Sequence, residues 1–184
     1  MGLILASQSP RRKELLGLMN IPFTVRVADI DETMDPDLSV AEEVARLSRR
    51  KALAVTREDG DIVIAADTVV VCDGIVLGKP KDEKDAFRML CSLSGRAHQV
   101  MTGITVLRGE KAVSHTEITD VYFRALTDDE ILTYIQSGDP MDKAGAYGIQ
   151  SGAAVFVEKI CGDYFNVVGL PICKLNMILK EEFL

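Results

Sequence analysis

The chain has 184 residues, of which 47% are hydrophobic and 27% charged, with a formal net charge of -7. That composition is globular rather than disordered, the length suits one domain with a sizeable core, and no apolar run reaches the roughly 18 residues of a membrane helix. An acidic protein of this kind does not coat a nucleic-acid polymer through its overall field, so any polyanionic ligand must be held by local cations.

Leu3 to Ala6 is a short apolar strand candidate, too short for the core of a secretory signal; the expectation is a cytoplasmic protein with no membrane association. Ser9 followed by Pro10 is an N-cap and first-position pair, predicting a helix from Pro10 to about Met19 with Leu15, Leu16 and Met19 inward. Thr24 to Val27 reads as a second strand. Asp29 to Leu38 is acidic and turn-rich, hence a loop. Ser39 and Glu42 form a capping box that should open a long helix reaching about Val55. Ile62 to Cys72 is the strongest strand pattern, and Asp73-Gly74 signals a hairpin with Ile75 to Leu77 returning. Asp82 to Leu93 should be helical and end at Gly95. Ala97 to Leu107 and Ala112 to Phe123 are long strands joined near Gly109. Thr127 and Glu130 form a second capping box, opening a helix to about Ser137. A glycine-containing loop runs from Gly138 to Gly152, Val155 to Ile160 is a strand, and Pro171 opens a last helix ending near Phe183. Hairpins mixed with helices predict a mixed sheet in an α/β or α+β domain. Cys72, Cys91, Cys161 and Cys173 are widely spaced, with no CxxC and only His98 and His115 as imidazole partners; the spacing argues against zinc and for reduced, mostly buried thiols.

Charge breaks this pattern in four places. Arg11, Arg12 and Lys13 fall in the first turn of a helix, where the dipole disfavours cations unless an anion is bound; the alternative is a solvated basic turn. Lys51 falls within the stripe Val40, Val44, Leu47, Val55 at about 100° per residue, so it either snorkels out or meets an anion. Asp67 interrupts Ile62 to Val71, a run with the character of a strand buried on both faces. A carboxylate there needs a cation, a metal or a proton, as a structural ion pair or as part of a site. Gly78-Lys79-Pro80 places a lysine just past a strand, as a plain turn or as a ligand. Together with Glu32 these residues suit phosphoryl chemistry: cations neutralise phosphates, carboxylates hold a divalent ion, and one carboxylate activates water. There is no GxxxxGK[ST] and no GxSxG, which excludes a P-loop enzyme and a nucleophile elbow.

At these residues the sequence resembles the Maf family. The resemblance runs over essentially the whole chain, through Leu5 to Arg12, Asp31-Glu32, Lys51-Ala52, Ala66-Asp67-Thr68-Val69, Gly78-Lys79-Pro80, Leu93 to His98, Val100 to Val106 and Asp142 to Gln150. It implies a single elongated α/β domain like the inosine-triphosphate pyrophosphatase fold, with a central mixed, twisted sheet flanked by helices and two lobes around a deep cleft. It implies hydrolysis of a nucleoside triphosphate to monophosphate and pyrophosphate with a divalent cation, magnesium, manganese or cobalt. Asp67 matches the family's general base, and Ser7, Arg11, Arg12, Glu32, Lys51 and Lys79 match its phosphate- and metal-site residues, with Asp67 a candidate second metal ligand. Arg12, Thr68 and Gln150 match the branch acting on dTTP and UTP; a glutamine amide offers a donor and an acceptor to a pyrimidine edge. His98, also inside a motif, is expected to be a strand-start histidine bonded to backbone. The family is often dimeric, so a homodimer is a candidate state. The competing readings are a nucleotide-binding regulator of septum formation without turnover, and an N7-methyl-GTP pyrophosphatase.

Overall fold

The computed structural model of the chain describes residues 2–27 and 29–184. In chain order its elements are β1 (Leu3–Leu5), α1 (Pro10–Gly17), β2 (Thr24–Val25), α2 (Val40–Ala54), β3 (Ile62–Cys72), β4 (Ile75–Leu77), α3 (Glu83–Leu93), β5 (Ala97–Arg108), β6 (Lys111–Phe123), α4 (Asp128–Gln136), β7 (Val157–Cys161), α5 (Tyr164–Val168) and α6 (Ile172–Ile178). The strands form one mixed sheet in the order β2-β1-β3-β5-β6-β7, with β4 on β3. β1 lies parallel to β2 and β3, whereas β4 is antiparallel to β3 and β7 to β6. The α/β class expected from the sequence is the class observed. Among the described residues no helix is long and apolar enough to cross a membrane.

The chain divides into two compact units. One comprises Met1–Thr68, Thr102–Glu117 and Gly169–Leu184. Its long helix α2 starts where the sequence says, because the Ser39 side chain accepts from the Glu42 N–H and Glu42 accepts from the Ser39 N–H. Such a cap satisfies two otherwise orphaned donors. Val44, Leu47 and Ala52 go inward. Two hydroxyls hold the helix to strands β5 and β6: Ser48 Oγ lies 2.7 Å from Thr105 Oγ1, and Thr116 Oγ1 donates to the Ala41 carbonyl at 2.7 Å. The approach is closest at Gly103 on β5, where an added Cβ would lie 2.2 Å from the Val44 carbonyl oxygen. Only a residue without a side chain fits under the helix there.

The other unit comprises Val69–Met101 and Ile118–Val168. Its hairpin forms at Asp73 and Gly74 with both φ angles positive, 51° and 76°, as a two-residue turn matching strand twist requires. Helix α4 opens on the expected capping box, Thr127 with Glu130. The core joins Val70, Leu90, Leu93, Val121, Phe123 and Ile131. His98 lies within it, edge-on to Phe123 and Tyr147, with Nε2 2.8 Å from the Tyr147 hydroxyl. The expected backbone partner is therefore a tyrosine hydroxyl instead. Burial pushes His98 down to about 4, so it is neutral at physiological pH.

Several sequence boundaries shift. Helix α1 stops at Gly17, and Met19 lies beyond it, half-buried. β2 stops at Val25. A 3-10 turn takes Gly152–Phe156, so β7 begins only at Val157. The last helix is α6 followed by a π-helical turn over Leu179–Phe183. The thiols also depart from expectation: Cys72 is buried, but Cys91, Cys161 and Cys173 are exposed.

Candidate active site

Strand β3 and helices α1 and α2 bring most of the suspected residues together in the first unit. Asp67 is 9% exposed, the one charged residue within β3. Lys51 does not snorkel to water: its Nζ lies 2.6 Å from Asp67 Oδ1 and 2.8 Å from Glu32 Oε1, with its own side chain 17% exposed. Position 51 on the apolar stripe of α2 is thus explained, because the stripe packs on the sheet, over β5 at Val44 and with β3 residues at Val55, and the lysine meets the acid that interrupts β3. Glu32 approaches from the loop before α2 and is mostly exposed. Asp67 Oδ2 has no partner among the described residues, so one oxygen holds the lysine and the other stays available.

Arg12 behaves as a brace. Its Nε donates to the Gly169 carbonyl at 2.8 Å, Nη1 to the Ala66 carbonyl at 2.9 Å and to Ser7 Oγ at 3.3 Å, and Nη2 to Thr68 Oγ1 at 2.9 Å. Four of the five N–H groups of a guanidinium are thereby committed to protein. Ala66 and Thr68 flank Asp67, so the brace grips the strand on both sides of the acid. Burial presses Arg12 below the ordinary guanidinium range, while Asp67 opposes that shift. Ser7, 7% exposed, accepts from Arg12 and from the Ser9 N–H, which leaves its own O–H to be given to a ligand. Thr68 Oγ1 also lies 2.9 Å from Thr102 Oγ1. Arg11 lies half-buried on α1.

Lys79 and Gln150 belong to the second unit. Both are exposed, Lys79 just after β4 and Gln150 in the loop before Gly152–Phe156. Sequence reasoning missed the Gly169 carbonyl and Thr102. Gly169 stands 157 positions from Arg12, beyond any local pattern. Thr102 reads as an ordinary strand residue.

Two carboxylates converging on one ammonium are the donor set of a hard divalent cation. Magnesium typically takes one or two protein carboxylates and completes its shell with water and substrate phosphates. No cluster of three or more His, Cys, Asp or Glu side chains occurs among the described residues. Glu32 and Asp67 are the carboxylates that would hold such an ion beside a phosphate substrate.

A family model described as Maf-like protein matches residues 2–182. A dTTP/UTP pyrophosphatase from Alkaliphilus oremlandii (strain OhILAs) is 52% identical over 185 residues, covering 98% of this chain and 96% of that protein. A dTTP/UTP pyrophosphatase from Bacillus pumilus (strain SAFR-032) is 50% identical over 179 residues, covering 97% and 95%. Among solved structures, a HAM1 protein from Coxiella burnetii matches at TM-score 0.53 and 14% identity, covering 98% of this chain and 99% of that one, a likeness of fold.

Proposed function

We infer the chemistry from the premise that this chain belongs to the Maf-like protein family. The protein is a nucleoside triphosphate pyrophosphatase, a hydrolase of phosphoric anhydrides whose relatives at about half identity are named for dTTP and UTP. Its substrates are dTTP and UTP. Water adds to the α-phosphorus, the bond from that phosphorus to the bridging oxygen breaks, and monophosphate and pyrophosphate leave. The observation that carries the reading is Asp67, with Oδ1 on Lys51 and Oδ2 without a partner among the described residues.

In this reading Asp67 takes the water's proton at Oδ2. Lys51 holds the carboxylate in place through Oδ1, and its charge offsets that developing on the phosphoryl oxygens. Ser7 gives its O–H to a phosphate oxygen. Arg11 and Lys79 bind the triphosphate. Arg12 contributes mainly by fixing Ser7, Asp67 and Thr68 in register, with one N–H remaining for substrate. Gln150 reads the pyrimidine edge. A divalent ion held by Glu32 and Asp67, when bound, supplies neutralisation of the phosphates and of the leaving pyrophosphate. The reading places the enzyme in the cytoplasm, where free thiols and nucleotide substrates belong.

Pyrophosphate release from UTP and dTTP with magnesium tests it. Asp67→Asn, close in shape, should lose about 10²- to 10⁴-fold in kcat while its melting curve stays cooperative. Full turnover in that variant would overturn the assignment of the base, and no release by the unaltered protein would leave a nucleotide binder.

A further inference from the structure

The loop carrying Gln150 is tied down at both of its ends. The Ser151 N–H donates to the Gly148 carbonyl at 3.2 Å, closing a β-turn whose two central residues are Ile149 and Gln150. The Gly148 N–H donates to the Tyr134 hydroxyl at 3.1 Å, and the Ser151 hydroxyl donates to Asp139 Oδ2. Tyr134, on α4 and only 6% exposed, donates its own proton to the same oxygen, Asp139 Oδ2. Lys143 closes the other side, donating to Asp139 Oδ1 at 2.9 Å, to the Asp139 carbonyl at 2.6 Å and to Asp142 Oδ1 at 2.7 Å. Packing is tight around the turn: a Cβ on Gly148 would lie 2.6 Å from both Lys143 Cε and Ser151 Oγ.

We propose that Tyr134, Asp139 and Ser151 are positioning residues for base selection, clamping the Gly148–Ser151 turn so that Gln150 presents its amide from a fixed backbone position. The inference rests on the reading of Gln150 as the pyrimidine-edge reader. A freely rotating surface glutamine discriminates poorly, because fixing it costs entropy at binding. Here the entropy of the flanking backbone is lost at folding, so only the glutamine's own rotamers remain to be ordered when a base binds. Burial, and then the bond to Asp139, push the Tyr134 hydroxyl above its ordinary range, so it remains a proton donor across physiological pH. The turn is rigid at its ends and exposed at its tip, which is what a reader of a small planar ligand requires.

The test compares kcat/KM for UTP with that for GTP in Gln150→Ala, Ser151→Ala, Tyr134→Phe and the double variant Gln150→Ala/Ser151→Ala. Tyr134→Phe keeps the buried ring, and Ser151→Thr keeps the hydroxyl, so both guard against simple misfolding. The expected result is a fall of about tenfold or more in the UTP preference for Gln150→Ala, Ser151→Ala and Tyr134→Phe, with the preference retained in Ser151→Thr. The double variant should lose no more than Gln150→Ala alone, since the serine acts through the glutamine. If Gln150→Ala lowers the preference while Ser151→Ala and Tyr134→Phe lower only the melting temperature, the clamp is structural and the proposal fails on its own. If Gln150→Ala leaves the preference unmoved, the base-reading role falls and the proposal falls with it.

Discussion

Gly103→Ala is the sharpest perturbation the fold offers, because it alters one methyl group and touches no charged residue of the site. The added Cβ would lie 2.2 Å from the Val44 oxygen, 2.3 Å from the Val44 carbonyl carbon and 2.6 Å from the Ala45 nitrogen. All three are backbone atoms, so no rotamer change relieves the clash. A carbon and an oxygen sit comfortably at about 3.3 Å or more, which obliges helix α2 to lift by about 1 Å. Lys51 follows Val44 by seven positions, two turns along the same face, or about 10 Å of helix. A helix lifted at Val44 carries the ammonium away from Asp67, now 2.6 Å distant. Overpacking of this kind costs about 1–3 kcal/mol, and contact with backbone puts it at the upper end. For a chain of this length 3 kcal/mol corresponds to about 6–12 °C in Tm. A displacement of about 1 Å in a catalytic group costs up to ~100-fold in rate. Differential scanning calorimetry and a UTP pyrophosphate-release assay, run on the same preparation, measure both. A variant with unaltered Tm would refute the close seating of α2 on β5. A variant with lowered Tm but full turnover per folded molecule would refute the link from that seating to Lys51.

Other outcomes follow from the brace and the buried histidine. Arg12→Lys cannot span Gly169, Ala66, Ser7 and Thr68, so unliganded protein should lose about 2 kcal/mol or more in urea unfolding; an arginine serving only as a phosphate ligand would raise KM and leave that stability unmoved. His98, held at about 4 by burial against an ordinary 6.5, binds its proton more weakly when folded. Its contribution is therefore fully present above pH 6.5 and is lost as pH falls toward 4, on the order of 3 kcal/mol in all. His98→Gln, whose amide can still meet the Tyr147 hydroxyl, should show a flatter dependence of Tm on pH across that window; an identical slope in both proteins would show that carboxylates account for the loss.

Local chemistry made much of this molecule legible in the sequence. The two capping boxes, the Asp73-Gly74 turn and the β3 pattern are short-range signals, and each yielded the element it announced. Lys51 and Asp67 were conspicuous because each violates the burial pattern of its own element, and two such violations on facing elements had a common solution. The bonds of Arg12 were illegible for the opposite reason: its acceptors are carbonyls and hydroxyls from distant segments, and a backbone carbonyl leaves no mark in a sequence. The first-turn cations of α1 suggested an anion, whereas Arg12 finds neutral oxygens around the strand bearing Asp67. The clamp on Gln150 stayed hidden because a tyrosine inside an apolar helix face reads as core until its hydroxyl is seen. The exposed thiols were misjudged because cysteine's usual preference for the interior carries no information about a particular position.

An ammonium wedged between two acids is a resident counter-ion. Lys51 can hold Glu32 and Asp67 side by side without a dissolved cation, so folding is expected not to require metal as it does in small metallodomains. A chelator should silence such an enzyme and leave it folded, ready to resume work as soon as a divalent cation returns.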